Sequence, residues 1–532
     1  MKVRVRVLHC PDHQDIYVYP KPMHRLFLPG CRFDINVMNA VGLLRWGLCL
    51  QREEIRIFLM GRGVTISTGE ISYLSEKFLV YFSLLHRSKY PEIARLFKSN
   101  GGAVLHIDGT EEKGSDVVFC AKEEMTGITV MADTIPSEST EHVTVFLEHY
   151  KENFGSPLVV VRDMSHTLER CVAEVFPDMS QQICHFHFVK NLGTEVLRDM
   201  YFNLRRKIIN TKMVPTLVKY KKVLRREGRN EVETAELLWV CLAIEHLEYS
   251  RKHSGGFQFK LGYHELIKRA NDIHRLARRL MHENCRRNMF VKELMVMDSH
   301  IAKALDRDGV NADARKLALL AFWFETVREV LRLSRPRNHL KEGESMGSEE
   351  LDAIECRLEE VLDEIELEAQ RLDGYYPKMA SKMRKSIAVH RHELFVHVTD
   401  SKGNDVSFSR DNNFLERNHR WGRMHCRRRT GKSMTRQEMD AHGALNAIFS
   451  NLFNETYVTK VLWDVKDLSM AFYQIDYREV REFLKELQRL RKGNILPVKD
   501  SDRGDLLKGL VETLEYDDVP HGGINEWIAA LS

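Results

Sequence analysis

A length of 532 residues allows about two to four domains, and a 43% hydrophobic content supplies their cores, so the chain reads as a soluble globular protein. The net charge of +4 conceals a separation into an acidic segment near 349–368 and a basic one at 417–436, so any clue to a partner is local. Ten cysteines without CxxC pairing argue against a disulfide framework and for reduced thiols in a cytosolic setting, and no apolar run approaches the roughly 18 residues of a membrane helix.

Residues 1–36 hold short strand-like pieces broken by Pro and Gly, and "MKVRVRVLHCPDH" lacks the apolar stretch of an export signal. His9, Cys10, His13 and Cys31 offer zinc-type ligands, but at irregular spacing, and core thiols are the simpler account. Over 37–100 the pattern turns helical. Two short amphipathic helices around "GRGV", the second opening near Ser67, suit a helix-turn-helix able to enter a DNA major groove.

From 101 to 200 the pattern predicts strands at 103–108, 116–121 and 127–132, a helix at 140–153, a strand at 157–162, a helix at 165–176, a strand at 182–185 and a helix at 188–200. Three successive strands followed by α/β alternation make a mixed sheet flanked by helices, the order of a ribonuclease-H-like core. Residues 201–400 read as an all-α insertion, including an acidic helix whose Ile354, Leu358, Val361, Leu362 and Ile365 suit a packed helical hairpin. Residues 401–460 return to the core, and amphipathic helices follow over 461–532, bracing the fold or a dimer contact.

Within this frame, "VLHIDGTEEKGSDVVF" ends an apolar strand on Asp108 followed at once by Gly109, and "PLVVVRDMS" repeats the arrangement at Asp163. Adjacent strand ends in a mixed sheet bring such carboxylates into one cleft, where unpaired acids are costly unless a cation, magnesium above all, lies between them. Strand-end aspartates can also serve merely as helix caps. A third acid is therefore needed, and "DNNFLERNHRWGRMHCRRRTGK" supplies Glu416. Asp411 or Asn412 can cap a helix placing Glu416, Arg420 and Arg423 on one face. Every charged residue from Arg417 to Arg436 is basic, namely Arg417, Arg420, Arg423, Arg427, Arg428, Arg429, Lys432 and Arg436. Such a run is a solvated face or a phosphate-binding one, and the embedded acid favours phosphate.

Together, Asp108 in "LHIDGT", Asp163 in "VVVRDMS", the "CHFHFVKNLG" stretch and Glu416 in "NNFLERNHR" resemble the DDE transposases, the ribonuclease-H-like recombinases that include Mutator-like elements and related prokaryotic insertion-sequence enzymes. The resemblance covers about 100–200 and 405–450. It implies that Asp108, Asp163 and Glu416 hold two Mg2+ ions, with Mn2+ as a substitute, roughly 3.5–4 Å apart for in-line phosphoryl displacement. Terminal inverted repeats would be cut and joined to target DNA by a homodimer or larger synaptic complex, without a covalent protein–DNA intermediate, in the cytoplasm on the nucleoid. Cys184 and His187 match a C-x-x-H element that organises such sites, or are a buried thiol and a satisfied histidine. Strand alternation sends His185 to the face opposite Cys184, Lys190 is a DNA contact, and Trp239 of the insertion is a stacking residue or core. Two other readings remain open, a transposase-derived DNA-binding protein without catalysis and a nuclease without strand transfer.

Overall fold

The computed structural model describes residues 8–9, 17–18, 27–112, 114–227, 244–245, 257, 259–283, 289–332, 348–432 and 436–491. Cys10, His13, Trp239 and the segment 492–532 lie outside the described residues. The chain divides into two compact units, Met1–Gln182 joined with Val396–Ser532, and Ile183–Phe395.

The first unit opens with a small antiparallel pair, β1 (Leu8–His9) and β2 (Tyr17–Val18), followed by α1 (Ile35–Gly42), α2 (Arg52–Met60), α3 (Thr68–Ser88) and α4 (Tyr90–Ser99). Side-chain caps start α1 and α3: Asp34 accepts from the Val37 amide at 2.9 Å and Ser67 from the Glu70 amide at 3.1 Å. Helices thus form on either side of "GRGV", the second opening at Ser67 as expected, and α3 is a core element of the unit. Every residue of α3 from Leu74 to His86 is buried, and a helix apolar all round is a core element. Phe78 packs edge-on against Phe449 and Phe472, and Phe82 against Phe449, with centroids 5.5–5.9 Å apart, which ties this helix to the far end of the chain. Gly42 permits the close crossing of α1, where a Cβ would overlap the Phe78 ring.

Next come β3 (Val104–Thr110), β4 (Val117–Glu123), β5 (Thr129–Ile135), α5 (Thr140–Phe154), β6 (Val159–Arg162), α6 (His166–Val175) and β7 (Gln181–Ile183). They form one five-stranded mixed sheet in the order β5-β4-β3-β6-β7, with β3–β4 and β4–β5 antiparallel and β3–β6 parallel. Each strand and helix expected between 103 and 200 is present, though β7 stops before the expected 182–185. Alternation sorts the sheet's faces. Leu105, Ile107, Phe119, Ala121 and Val160 join the large core, whereas Val118 and Cys120 face Leu415 and Met439.

The second unit carries α7 (His185–Thr211), α8 (Met213–Glu227), α9 (Gly262–Glu283), α10 (Met289–Asp306), α11 (Val310–Val330), α12 (Ser348–Ala369) and α13 (Tyr375–Leu394), with no strand wholly within its described residues. The helices of this unit begin with α7 at His185, directly after β7. The acidic α12 pairs with α13 as a hairpin, its buried stripe of Ile354, Leu358, Val361, Leu362 and Ile365 as expected from periodicity. No described helix is long and apolar enough to cross a membrane.

The chain then returns to the first unit through α14 (Asn413–Thr430), α15 (Arg436–Phe449), α16 (Leu468–Tyr473) and α17 (Tyr477–Arg491). Val480 and Leu487 of α17 are buried in that unit's core, so the C-terminal helices brace the fold.

Candidate active site

Strand register brings the first two acids together. β3 and β6 pair in parallel from Val104↔Val159 to His106↔Val161, and the same register carried two residues further sets Asp163 beside Asp108. The Asp163 carboxylate accepts from the Ser165 amide at 2.7 Å, a local turn that ends the strand and opens α6. Asp163 therefore serves as a turn residue while standing next to Asp108.

The third acid arrives on a helix that is fastened to β3. Asn412, fully buried, donates from Nδ2 to the Ile107 carbonyl at 3.1 Å and accepts at Oδ1 from His106 Nδ1 at 2.9 Å. Asn412 holds the N-cap position of α14 without a side-chain cap bond, and Asp411 before it accepts from the Asn413 amide at 3.0 Å. From this anchor one helical face runs along the strand: Glu416, then His419 with Nε2 3.7 Å from Asp108 Oδ2, then Arg423 donating to Thr110 Oγ1, then Arg427 at 3.5 Å from Glu112. His106 Nε2 lies 2.9 Å from a Glu124 carboxylate oxygen, so the buried ring is held between Asn412 and Glu124. Burial would raise the Glu124 carboxyl, but the bonds from His106 and Ser409 outweigh it and hold it below the ordinary carboxylate value.

Negative charge accumulates here. Burial pushes the Asp108 carboxyl well above its ordinary value, and Asp163, Glu416 and Glu138 push it further. Glu138, just before the Ser139 cap of α5, is raised by burial, by Asp163 and by Glu111. Its Oε1 lies over Gly109, where a Cβ would overlap it and would also crowd Val117 Cγ1 at 2.8 Å, so the side-chain space after Asp108 is already filled. His419 is driven down to about 4 by burial, Arg423 and Lys122, and is a neutral imidazole. Lys122, whose ammonium sits 3.9 Å from the Phe414 ring centre, is driven down to about 8 by burial and by Arg417.

Arg417, Arg420, Arg427, Arg428 and Lys432 are exposed, and Arg423 is half-buried on the acid face. Arg429 is not part of the basic surface expected of it. It is buried, stacked 3.9 Å from Trp46 and bonded to Glu438 at 2.9 Å, a structural cation. Cys184, His187 and Lys190 belong to the second unit. There Cys184 caps α7, Lys190 is exposed, and His185 is buried with Nε2 2.8 Å from the Leu394 carbonyl. The alternation argument for His185 fails because the strand has already ended at Ile183. Sequence reasoning passed over Glu138, His419 and Lys122. His419 was visible as the i+3 neighbour of Glu416, and Lys122 as a cation in an apolar strand, whereas Glu138 lay in a polar turn without pattern.

Among the described residues no group of three or more His, Cys, Asp or Glu side chains is arranged to hold a metal ion. Asp163, Glu416 and Glu138 are close enough to raise Asp108 without forming such a group. The donor set is nonetheless all oxygen, which suits a hard divalent cation, and its accumulated charge is what such a cation relieves. No protein-family model and no curated protein matches this chain.

Proposed function

We propose that this protein is a DNA transposase of the DDE type, cutting DNA at the ends of a mobile element and joining them to target DNA, with Asp108, Asp163 and Glu416 as its acids. The observation that carries the reading is the accumulation of negative charge around Asp108 from acids that enter on three separate chain segments. The sheet order, with three antiparallel strands and β6 parallel to β3, supports a ribonuclease-H-like core.

Asp108, Asp163 and Glu416 would hold Mg2+ or Mn2+, which when bound stabilises charge on the phosphoryl oxygens and lowers the pKa of attacking water. The chain's own residues do the rest. Asn412 fixes the height of α14 against β3 and hence where Glu416 stands. His419 holds an uncharged ring against Asp108, and Arg423 is braced on Thr110. Arg417, Arg420, Arg427, Arg428 and Lys432 offer an exposed basic surface for the phosphate backbone, so binding weakens steeply with salt. Two copies would bring two DNA ends together.

The test is Mg2+-dependent cleavage of a labelled duplex made from the DNA flanking the coding sequence, wild type beside Asp108→Asn, Asp163→Asn and Glu416→Gln. Cleavage and joined products lost in all three variants, with duplex binding retained, is the expected result. Cleavage without joined products would leave a nuclease, and tight binding without cleavage by wild type would leave a DNA-binding protein.

A further inference from the structure

We infer that Glu138 is a fourth carboxylate of this site, positioning the cation together with Asp108, Asp163 and Glu416, and that residue 109 is glycine so that Glu138 can enter. The inference rests on the reading just proposed and extends it to a residue outside the three acids.

Glu138 has an ordinary alternative role. It immediately precedes α5, and a negative charge near a helix N-terminus is mildly favourable. That role does not account for its placement. Ser139 performs the capping, its hydroxyl oxygen accepting from the His142 amide at 3.5 Å, and no donor among the described residues bonds the Glu138 carboxylate. The side chain instead lies over the backbone of Gly109, directly after Asp108, in space that any other residue at 109 would fill with its own Cβ. A carboxylate lodged against a second and a third carboxylate is unfavourable in the bare protein. A second feature is a buried nitrogen without a hydrogen bond beside the same acid. The His419 side chain is only 5% exposed, its Nε2 makes no hydrogen bond to any described residue, and it faces Asp108 Oδ2 at 3.7 Å. Glu138 and the His419 imidazole thus both lie beside Asp108, one over the backbone of the residue that follows it and the other 3.7 Å from its Oδ2.

The experiment is direct measurement of Mn2+ binding to the full chain, by the loss of the free-ion paramagnetic resonance signal, without DNA. Glu138→Gln is expected to weaken Mn2+ affinity about tenfold, the scale of losing one group that orients a bound ion. Gly109→Ala should weaken it similarly by expelling Glu138, and the double variant should be no weaker than either single one, because both changes remove the same contact. Thermal unfolding of the metal-free variants checks that each is folded, and should Gly109→Ala fail to fold, Glu138→Gln alone decides. Affinity unchanged in Glu138→Gln but lost in Asp108→Asn would overturn the inference and leave the three-acid reading standing. Affinity unchanged in Asp108→Asn, or no binding by wild type, would overturn both.

Discussion

Two regions of this molecule are rich in carboxylates, and they differ in what stands opposite. Along α12 of the second unit, acids face a cationic partner helix. Arg384 of α13 reaches Glu359 at 3.1 Å and Glu366 at 2.8 Å, and Arg391 reaches Glu359 at 2.9 Å. Around Asp108 in the first unit, burial and three other carboxylates raise its carboxyl against a single lowering bond from the Gly109 amide, while Arg423 is turned to Thr110 and Arg427 to Glu112. The acid-dense segment of sequence is thus electrostatically ordinary, and the sparse one, assembled from distant residues, is not. Density of charge along the chain says little about function, whereas like charges that the fold gathers from distant residues say a great deal.

The largest expected effect separates the two regions by activity. Asp108→Asn should lower the initial rate of Mg2+-dependent DNA cleavage on the order of a thousandfold or more, equivalent to about 4 kcal/mol of barrier. Glu359→Gln on α12, an equal loss of charge, should leave the rate within about twofold at saturating Mg2+, since its partners are protein cations. Similar losses in both would mean that the acids of the sheet have no special role.

A second effect tests how the acid site is assembled. Replacing Asn412 by leucine leaves the Ile107 carbonyl and His106 Nδ1 without their buried partner, at a cost of about 2–3 kcal/mol in urea unfolding. Cleavage should fall as well, although no acid has been altered, because Glu416 is placed by this anchor. A stable variant with full cleavage would show that α14 finds its register by other contacts.

How much of this was legible beforehand follows from the physics of each element. The strands carrying the first two acids could be read because apolar runs give way to Asp108 and Asp163, although β3 continues through Asp108 to Thr110 and β6 stops one residue short of Asp163, and the parallel register then pairs the two acids. Glu416 was legible from the cap and arginines around it. The role of α3 was misread, since a Ser67 cap and a glycine-containing turn look the same before a surface helix and before a core helix, and only the full-turn apolarity of "FLVYFSLLH" distinguishes them. Deleting residues 1–95 would therefore remove part of the core rather than a separable reading head. Arg429 looked like its basic neighbours, because burial against Trp46 depends on a contact some 380 residues distant, on the order of most of the chain. Glu138 was beyond reach for a similar reason: it stands out only through its contact with Gly109, which belongs to β3 and not to the turn that carries Glu138.

A third, smaller pair of effects should have opposite signs. Arg384→Ala removes a partly exposed cation that serves three carboxylates and should destabilise the protein by about 1 kcal/mol, less at high salt. Asp108→Asn in the metal-free protein should stabilise it by on the order of 1 kcal/mol, because it relieves like-charge repulsion. Added Mg2+ should reverse the second difference, raising the melting temperature of the wild type alone. Equal signs in metal-free buffer would contradict the contrast between the two regions.

The smallest effect concerns Lys122, the cation on the acid face. Its pKa of about 8 in the folded protein lies below the unfolded lysine value near 10.4, so the folded state binds fewer protons between those limits. Stability therefore rises with pH through that window, and the burden of a half-buried ammonium is fully present below pH 8. Relative to Lys122→Met, which lacks the titrating group, the wild type should gain under about 1 kcal/mol between pH 7 and pH 8.5 in metal-free buffer. Taking the difference between the two proteins removes the thiols and tyrosines common to both. A wild type that loses ground over that interval would mean that Lys122 is held charged by the acids, which would make the sheet face an internally paired region like α12 and dissolve the distinction on which the catalytic reading depends.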